Sequence, residues 1–418
     1  MRFRLPVCVV VVLWLSAAAG AGEVTVRSIA ALKKALYAAK PGDVVKIAPG
    51  RYAAPKFKKV FWLGNVHGKP DAPITVCAAD PKDRPVFADA SECFQMTRCS
   101  WFVIDGIITE GAHVNNFQFD FCHHFVVRNC TSRNMAGTLN NGNCDGVKMP
   151  GSADFLFYKC SIETWGWTGS GIDMVGCARI LMAECFFTFP TGTKGGPNAT
   201  QPKSGTRGFG VYKSRFQDAS LRSVQFGGAG SPAHVGKAEK MSGLDQVAMG
   251  NVIVAGQCPL VFACAQDSTF AYNTVVNPTG HFCRILKEGP YGFMSNNVVR
   301  RNLICYDRPI LFLTHSRGTT LKSVSFAENY WFNSKDPNRS IPKLPIPEKD
   351  PAGGSDPKLD KHHKPPADTP AAAYGAHAPA LEAAWAKHTD YFKWAWQQYQ
   401  QHTAKAPPAP PISERPSQ

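Results

Sequence analysis

Acidic residues are scarce in this chain of 418 residues: 31 Asp and Glu stand against 46 Lys and Arg, a formal charge of +15. That excess attracts polyanions, so nucleic acid, anionic membrane and acidic polysaccharide are the partner classes to weigh. Long apolar runs are missing too. Beyond the first residues there is no stretch of about eighteen apolar residues, so no stable membrane insertion is expected. There is no Cys-x-x-Cys pair to suggest zinc, and hardly any helical periodicity between residues 55 and 335. The shortage of charge, 18% against 44% hydrophobic residues, excludes wholesale disorder.

What is present begins with an export signal. Arg2 and Arg4 precede an apolar run from Val7 to Leu15 and a small-residue tract from Ser16 to Ala21, the three-part layout of a secretory leader. Residues 1–21 are therefore expected to be removed, leaving a secreted chain, extracellular or periplasmic, that starts near Gly20 or Gly22. Export makes nucleic acid an unsuitable partner. Of the 14 cysteines one, Cys8, lies in the leader, and the odd remainder cannot all pair within one chain.

Short β-branched segments recur and end at Cys130, Cys160, Cys185, Ser214, Asn251, Asn273, Asn302 and Asn329, spaced 22 to 37 residues apart. A period of that size built from strands predicts stacked β coils, an all-β right-handed parallel β-helix over residues 22–335. Equivalent Cys and Asn would then form interior ladders, with the thiols acting mainly as small apolar packing groups. A second strand set, including Asp145–Met149, Gly171–Val175 and Ser223–Phe226, gives each coil its further sides. Ser28 caps a short helix whose Ile29, Leu32 and Leu36 face one way, and Pro41-Gly42 ends it. Such a helix is the expected lid on the first coil. Residues 336–378 read as an extended Pro-rich segment. Leu381, Trp385, His388, Phe392 and Trp396 recur at helical spacing and predict a docking helix over 379–404, with a disordered tail at 405–418.

The segment from Ala38 to Tyr52, AAKPGDVVKIAPGRY, resembles the opening coil of secreted β-helix proteins of the pectate lyase-like superfamily and the chondroitinase B/alginate lyase group. NCDGVKMPG, GSGIDMVGC and the stretch from Gln201 to Gly228 extend the resemblance to about residues 28–310. In that lyase group a lysine and an arginine about one coil apart serve as base and acid; Lys203 and Arg222 match that spacing here. Calcium-dependent members carry acidic ligands just before the lysine, whereas this chain has no Asp or Glu between Glu184 and Lys203. No metal site and no cofactor are therefore expected.

From Cys185 to Ala238 the only acid is Asp218, against Lys194, Lys203, Arg207, Lys213, Arg215, Arg222 and Lys237. Such a band, if it lies on one face, suits an extended uronate polysaccharide cleaved by β-elimination. Lys203 would be the base, its proton affinity lowered by neighbouring cations. Arg207, Arg215 or Arg222 would neutralise the uronate carboxylate, and Tyr212 or Arg222 would act as acid or carboxylate holder. Lys148 and Asp173 line the same groove or form a ladder ion pair; Trp165 and Trp167 stack on sugars or pack against a loop; Arg284 and Lys287 extend the basic face. Aligning coils on Gly151, Gly176 and Gly205 places Lys203 with the interior Met149 and Met174, unless a one-residue bulge turns it outward. Two alternatives stand beside the lyase. A glycoside hydrolase would use Asp145 with Asp173, or Asp105 with Asp145, and a non-catalytic carbohydrate-binding solenoid would use the same basic groove without cutting. The chain is expected to act as a monomer.

Overall fold

The computed structural model describes residues 21–54, 58–135, 144–189, 198–219, 221–230 and 241–405. Residues 1–20 of the leader, Lys194, Lys237 and the tail beyond 405 lie outside them. Three sheets of 13, 10 and 12 strands run the length of the molecule, every strand-to-strand pairing parallel and each strand paired to its equivalents one coil before and after. This is the right-handed parallel β-helix that the repeats imply.

The first sheet runs from Glu23–Val26 to Val324–Ala327, the second from Phe61–Gly64 to Leu311–His315, and the third from Arg51–Ala53 to Ala352–Gly353. Because strand side chains alternate, each strand sends one set inward. Phe125 and Phe155 stack at 4.9 Å and Phe187 and Phe216 at 4.6 Å inside the coil, beside Met149, Met174 and Phe226, all buried. The thirteen described cysteines are free and all but Cys77 are buried. Cys160 donates to the Val127 carbonyl at 3.4 Å and Cys185 to that of Phe157 at 3.5 Å. Further along the same corner Asn251, Asn273 and Asn302 each donate to the next asparagine, at 2.9, 3.1 and 2.8 Å, and Asn329 donates to Glu348 at 2.7 Å.

The first coil is covered by helix α1, Ile29–Ala38, whose N-cap Ser28 accepts from the Ala31 amide and whose Leu32 and Leu36 are buried. At the other end Leu344 and Ile346 pack on the core. The C-terminal region crosses the outer face of the first sheet as α2, Leu381–Ala386, a 3-10 turn at Thr389–Phe392, and α3, Lys393–Lys405. The helical spacing is thus carried by two helices rather than one. Trp385 stacks on Tyr212 at 4.2 Å and on Phe392 at 5.2 Å. Gly208, at φ +66, lets the Tyr391 carbonyl pass so close that any Cβ would collide with it.

Candidate functional site

The outer face of the second sheet carries a polar row, one residue per coil: Gln95, Gln118, Lys148, Asp173, Gln201 and Gln225. Registered pairing links the first five in turn, and the Thr200–Val224 pair sets Gln201 beside Gln225. A flanking row holds Asn198 opposite Arg222. Another places Lys203 beside Val175, itself beside Pro150.

Lys203 therefore faces out, and Pro202 takes the interior place opposite Met174. The reason is one extra residue at the corner. On the upstream side Val175 pairs with Lys203, but downstream Ala178 pairs with Arg207. The additional residue is absorbed by Ser204 and Gly205, both left-handed at φ 55 and 80. Alignment on Gly205 is right for the strand that follows and one residue out for the strand that precedes it.

Lys203 and Arg222 start far apart along adjacent strands yet lean toward each other. The Lys203 ammonium donates to Gln201 Oε1 at 3.2 Å, and Arg222 Nη1 donates to Gln225 Oε1 at 2.6 Å, so both cations end over one pair of neighbouring glutamines. Arg222 also donates to Glu288 at 2.7 Å, and the other Glu288 oxygen accepts from the Ala229 amide at 3.2 Å. Lys203 lies 3.0 Å from Asp173 Oδ1, while Asp173 Oδ2 accepts from Lys148. Lys148 further meets Asp145 at 3.1 Å, and Asp145 accepts from the Ser170 amide at 2.7 Å. Burial, with Asp173 nearby, pushes the Asp145 carboxyl up to about 6 against the pull of Lys148. Burial opposes the Lys148 ammonium, but the two carboxylates more than offset it and raise its proton affinity.

Several expected groups lie elsewhere. Tyr212 is fully buried in the first sheet beneath α2, donating to Glu382 at 2.5 Å. Burial and that carboxylate raise its proton affinity far above the phenol range, so it is no acid for this site. Arg207 is on the first sheet and Arg215 on the third, where it donates to Gln217 at 2.9 Å. Lys213 pairs with Glu382 at 2.5 Å over the first sheet. The basic band is thus divided among three faces of the solenoid. Only Lys203 and Arg222 of its described members share the second sheet, because residues a few positions apart round a corner point in different directions. Lys203 moreover meets the Asp173 carboxylate rather than the neighbouring cations expected around it.

Trp165 is fully buried against Phe189 at 5.1 Å and offers no face to a sugar. Trp167 is half-buried in the turn that leads to Ser170. Lys148 and Asp173 form the ladder ion pair. Arg284 continues the polar row two coils beyond Gln225, but the buried Val261 stands between them. Lys287 is exposed just past that strand. The hydrolase pairs fare no better. Asp145 and Asp173 are each 3% exposed and share Lys148, and Asp105 faces out from the first sheet toward Arg128 at 2.8 Å. Gln201 and Gln225 were missed; the coil-length spacing from Gln95 to Gln225 was their available signal. Glu288, in the CRILKEG segment with Arg284 and Lys287, comes from a loop to pair with Arg222. Among the described residues no cluster of His, Cys, Asp and Glu is arranged to hold a metal.

No family model matches the chain, and no curated protein matches its sequence. Solved structures do. An alginate lyase from Paenibacillus sp. str. FPU-7 superposes with a TM-score of 0.51 at 16% identity, covering 72% of this chain and 98% of that one. A mannuronic acid specific family 6 polysaccharide lyase from human gut microbiota gives 0.44 at 15% identity over 92% and 100%. Pectate lyase Pel9A gives 0.38 at 15% over 83% and 89%. The first of these likenesses establishes a shared fold: the chain is built on the parallel β-helix that polysaccharide lyases also use.

Proposed function

We propose that this chain is an exported, lyase-like protein that binds an acidic, uronate-containing polysaccharide on the outer face of the second sheet and cleaves it by β-elimination. The observation that supports this is the convergence of Lys203 and Arg222, from opposite ends of adjacent strands, over the Gln201–Gln225 pair. In such a cleavage a base takes the proton beside the uronate carboxylate. That electron pair becomes a carbon–carbon double bond as the glycosidic C–O bond breaks, and the departing oxygen receives a proton. In this reading Arg222 neutralises the carboxylate, where a fixed cation lowers the cost of developing carbanion charge. Lys203 is assigned the base: it must first lose its ammonium proton to solvent against the attraction of Asp173 at 3.0 Å, and then takes the substrate proton and returns it to the departing oxygen, a role left to it by the burial of Tyr212. Asp173 and Gln201 hold its side chain in place.

The test is incubation with alginate, pectate and glycosaminoglycans, following ultraviolet absorbance of unsaturated ends and reducing sugar separately. A lyase raises both signals. Reducing sugar alone identifies a hydrolase, and retention on the polymer with neither signal identifies a binding protein. In the first case Lys203→Ala is expected to abolish turnover with an unchanged circular-dichroism spectrum, and a variant of full activity would remove Lys203 from the mechanism.

A further inference from the structure

Two aromatic side chains stand in solvent at the N-terminal end of the same face. Trp62 heads the polar row, opposite Gln95, and is 38% exposed; Phe121 follows the end of the strand two coils on and is 57% exposed. Each ring lies over a glycine. A Cβ on Gly64 would come within 2.8 Å of Trp62 Cζ2, and one on Gly151 within 2.5 Å of Phe121 Cδ1. The Trp62 indole is fixed by donating to Thr97 Oγ1 at 3.2 Å.

Phe121 occupies a corner where the chain turns left-handed in successive coils, at Arg98, Phe121, Gly151, Gly176 and Ser204. A bulky residue at φ 54 is strained there, and an exposed ring recovers little of that strain by burial. Between the two rings, in the intervening coil, the exposed Arg98 sets its guanidinium 5.8 Å from the Phe121 centroid. Arg98 and Phe121 follow one another at a one-coil step, while Trp62 lies one coil earlier and three positions back along its strand, opposite Gln95; its indole reaches along the strand over Gly64 to Thr97, the residue before Arg98. Aromatic faces stack on sugars, and the cation meets a uronate carboxylate.

We infer that Trp62, Arg98 and Phe121 form a second binding surface, an anchoring subsite for the same acidic polysaccharide. It lies on the face that carries Lys203 and Arg222, three or more coils away from them. The inference rests on the function proposed above. Its occupant is an extended acidic glycan because two exposed aromatic faces accompany a cation and Trp62 heads the row that leads to the site.

Affinity electrophoresis in gels containing alginate, pectate or a glycosaminoglycan tests it, comparing the unaltered protein with Trp62→Ala/Phe121→Ala and with Arg98→Ala, each checked by thermal melting. The double variant is expected to bind at least fivefold more weakly and Arg98→Ala severalfold more weakly, while any cleavage at saturating polymer keeps its rate. Retention of the unaltered protein with equal retention of both variants overturns this inference and leaves the proposed function standing. No retention of the unaltered protein by any of the glycans, together with no cleavage, overturns both. Should the double variant fail to melt cooperatively, Arg98→Ala decides: its side chain is exposed, and undiminished binding by that variant overturns the inference.

Discussion

Asp145 shows how a single residue couples the site to stability. Its carboxyl is raised to about 6, above the value near 3.9 expected in an unfolded chain. Folding therefore favours its protonated form. The stabilisation is fully present below about pH 4 and is lost as pH rises through 6, amounting to roughly 3 kcal/mol at most. Urea denaturation between pH 4 and 8 checks this by comparison with Asp145→Asn. The variant, which mimics the protonated carboxyl, should lack the step between 4 and 6, so its stability relative to the unaltered protein should improve as pH rises from 4 to 8. Lys203→Ala acts at the same scale with the opposite signature, loss of turnover without loss of fold. The outward turn of Lys203 was conceivable from sequence but not decidable. A single extra residue shared by Ser204 and Gly205 reverses the face of everything before it, and no local propensity marks which of two turn residues is the addition.

At the scale of elements, the asparagine ladder and the C-terminal helices carry different burdens. Asn302 accepts from both the amide and the side chain of Asn273 and donates to Phe270 and Asn329. Asn302→Ala strands buried donors and acceptors in two neighbouring coils, so we expect a loss of roughly 3 kcal/mol in denaturant unfolding. Trp385→Ala empties the space between Tyr212 and Phe392 and should cost roughly 3 to 5 kcal/mol by the same measurement. The aromatic spacing from Leu381 to Trp396 made these helices legible in sequence. Their resting place on the first sheet was not legible, because it depends on Gly208 and on outward-facing Leu181, Tyr212 and Met249, which in sequence look like any other strand residues. Tyr212 was accordingly read as an acid when it is the floor of a helix dock.

For the whole molecule, the C-terminal region responds to acid through two half-buried histidines held in neutral form. Partial burial depresses His363, with help from Arg215, and pushes His388 down to about 4 with help from Arg300 and Lys387. A depressed folded value means that this stabilisation is present above about pH 6.5 and is lost as pH falls through the folded values. Hydrogen exchange at pH 7 and pH 4.5 should find residues 360–400 losing protection on acidification before the coils do. The sequence by itself determined the solenoid, since coil-length repetition of β-branched segments with hardly any helical period between them buries its apolar faces by stacking coil on coil. It likewise determined the helix that covers the first coil and the aromatic spacing of the last helices. Only the tertiary structure decided which side chains meet. On a wound sheet, proximity is set by coil register and corner geometry, so Lys203 and Arg222, nineteen residues apart, converge, while Arg207 and Arg215, lying between them, point to other faces.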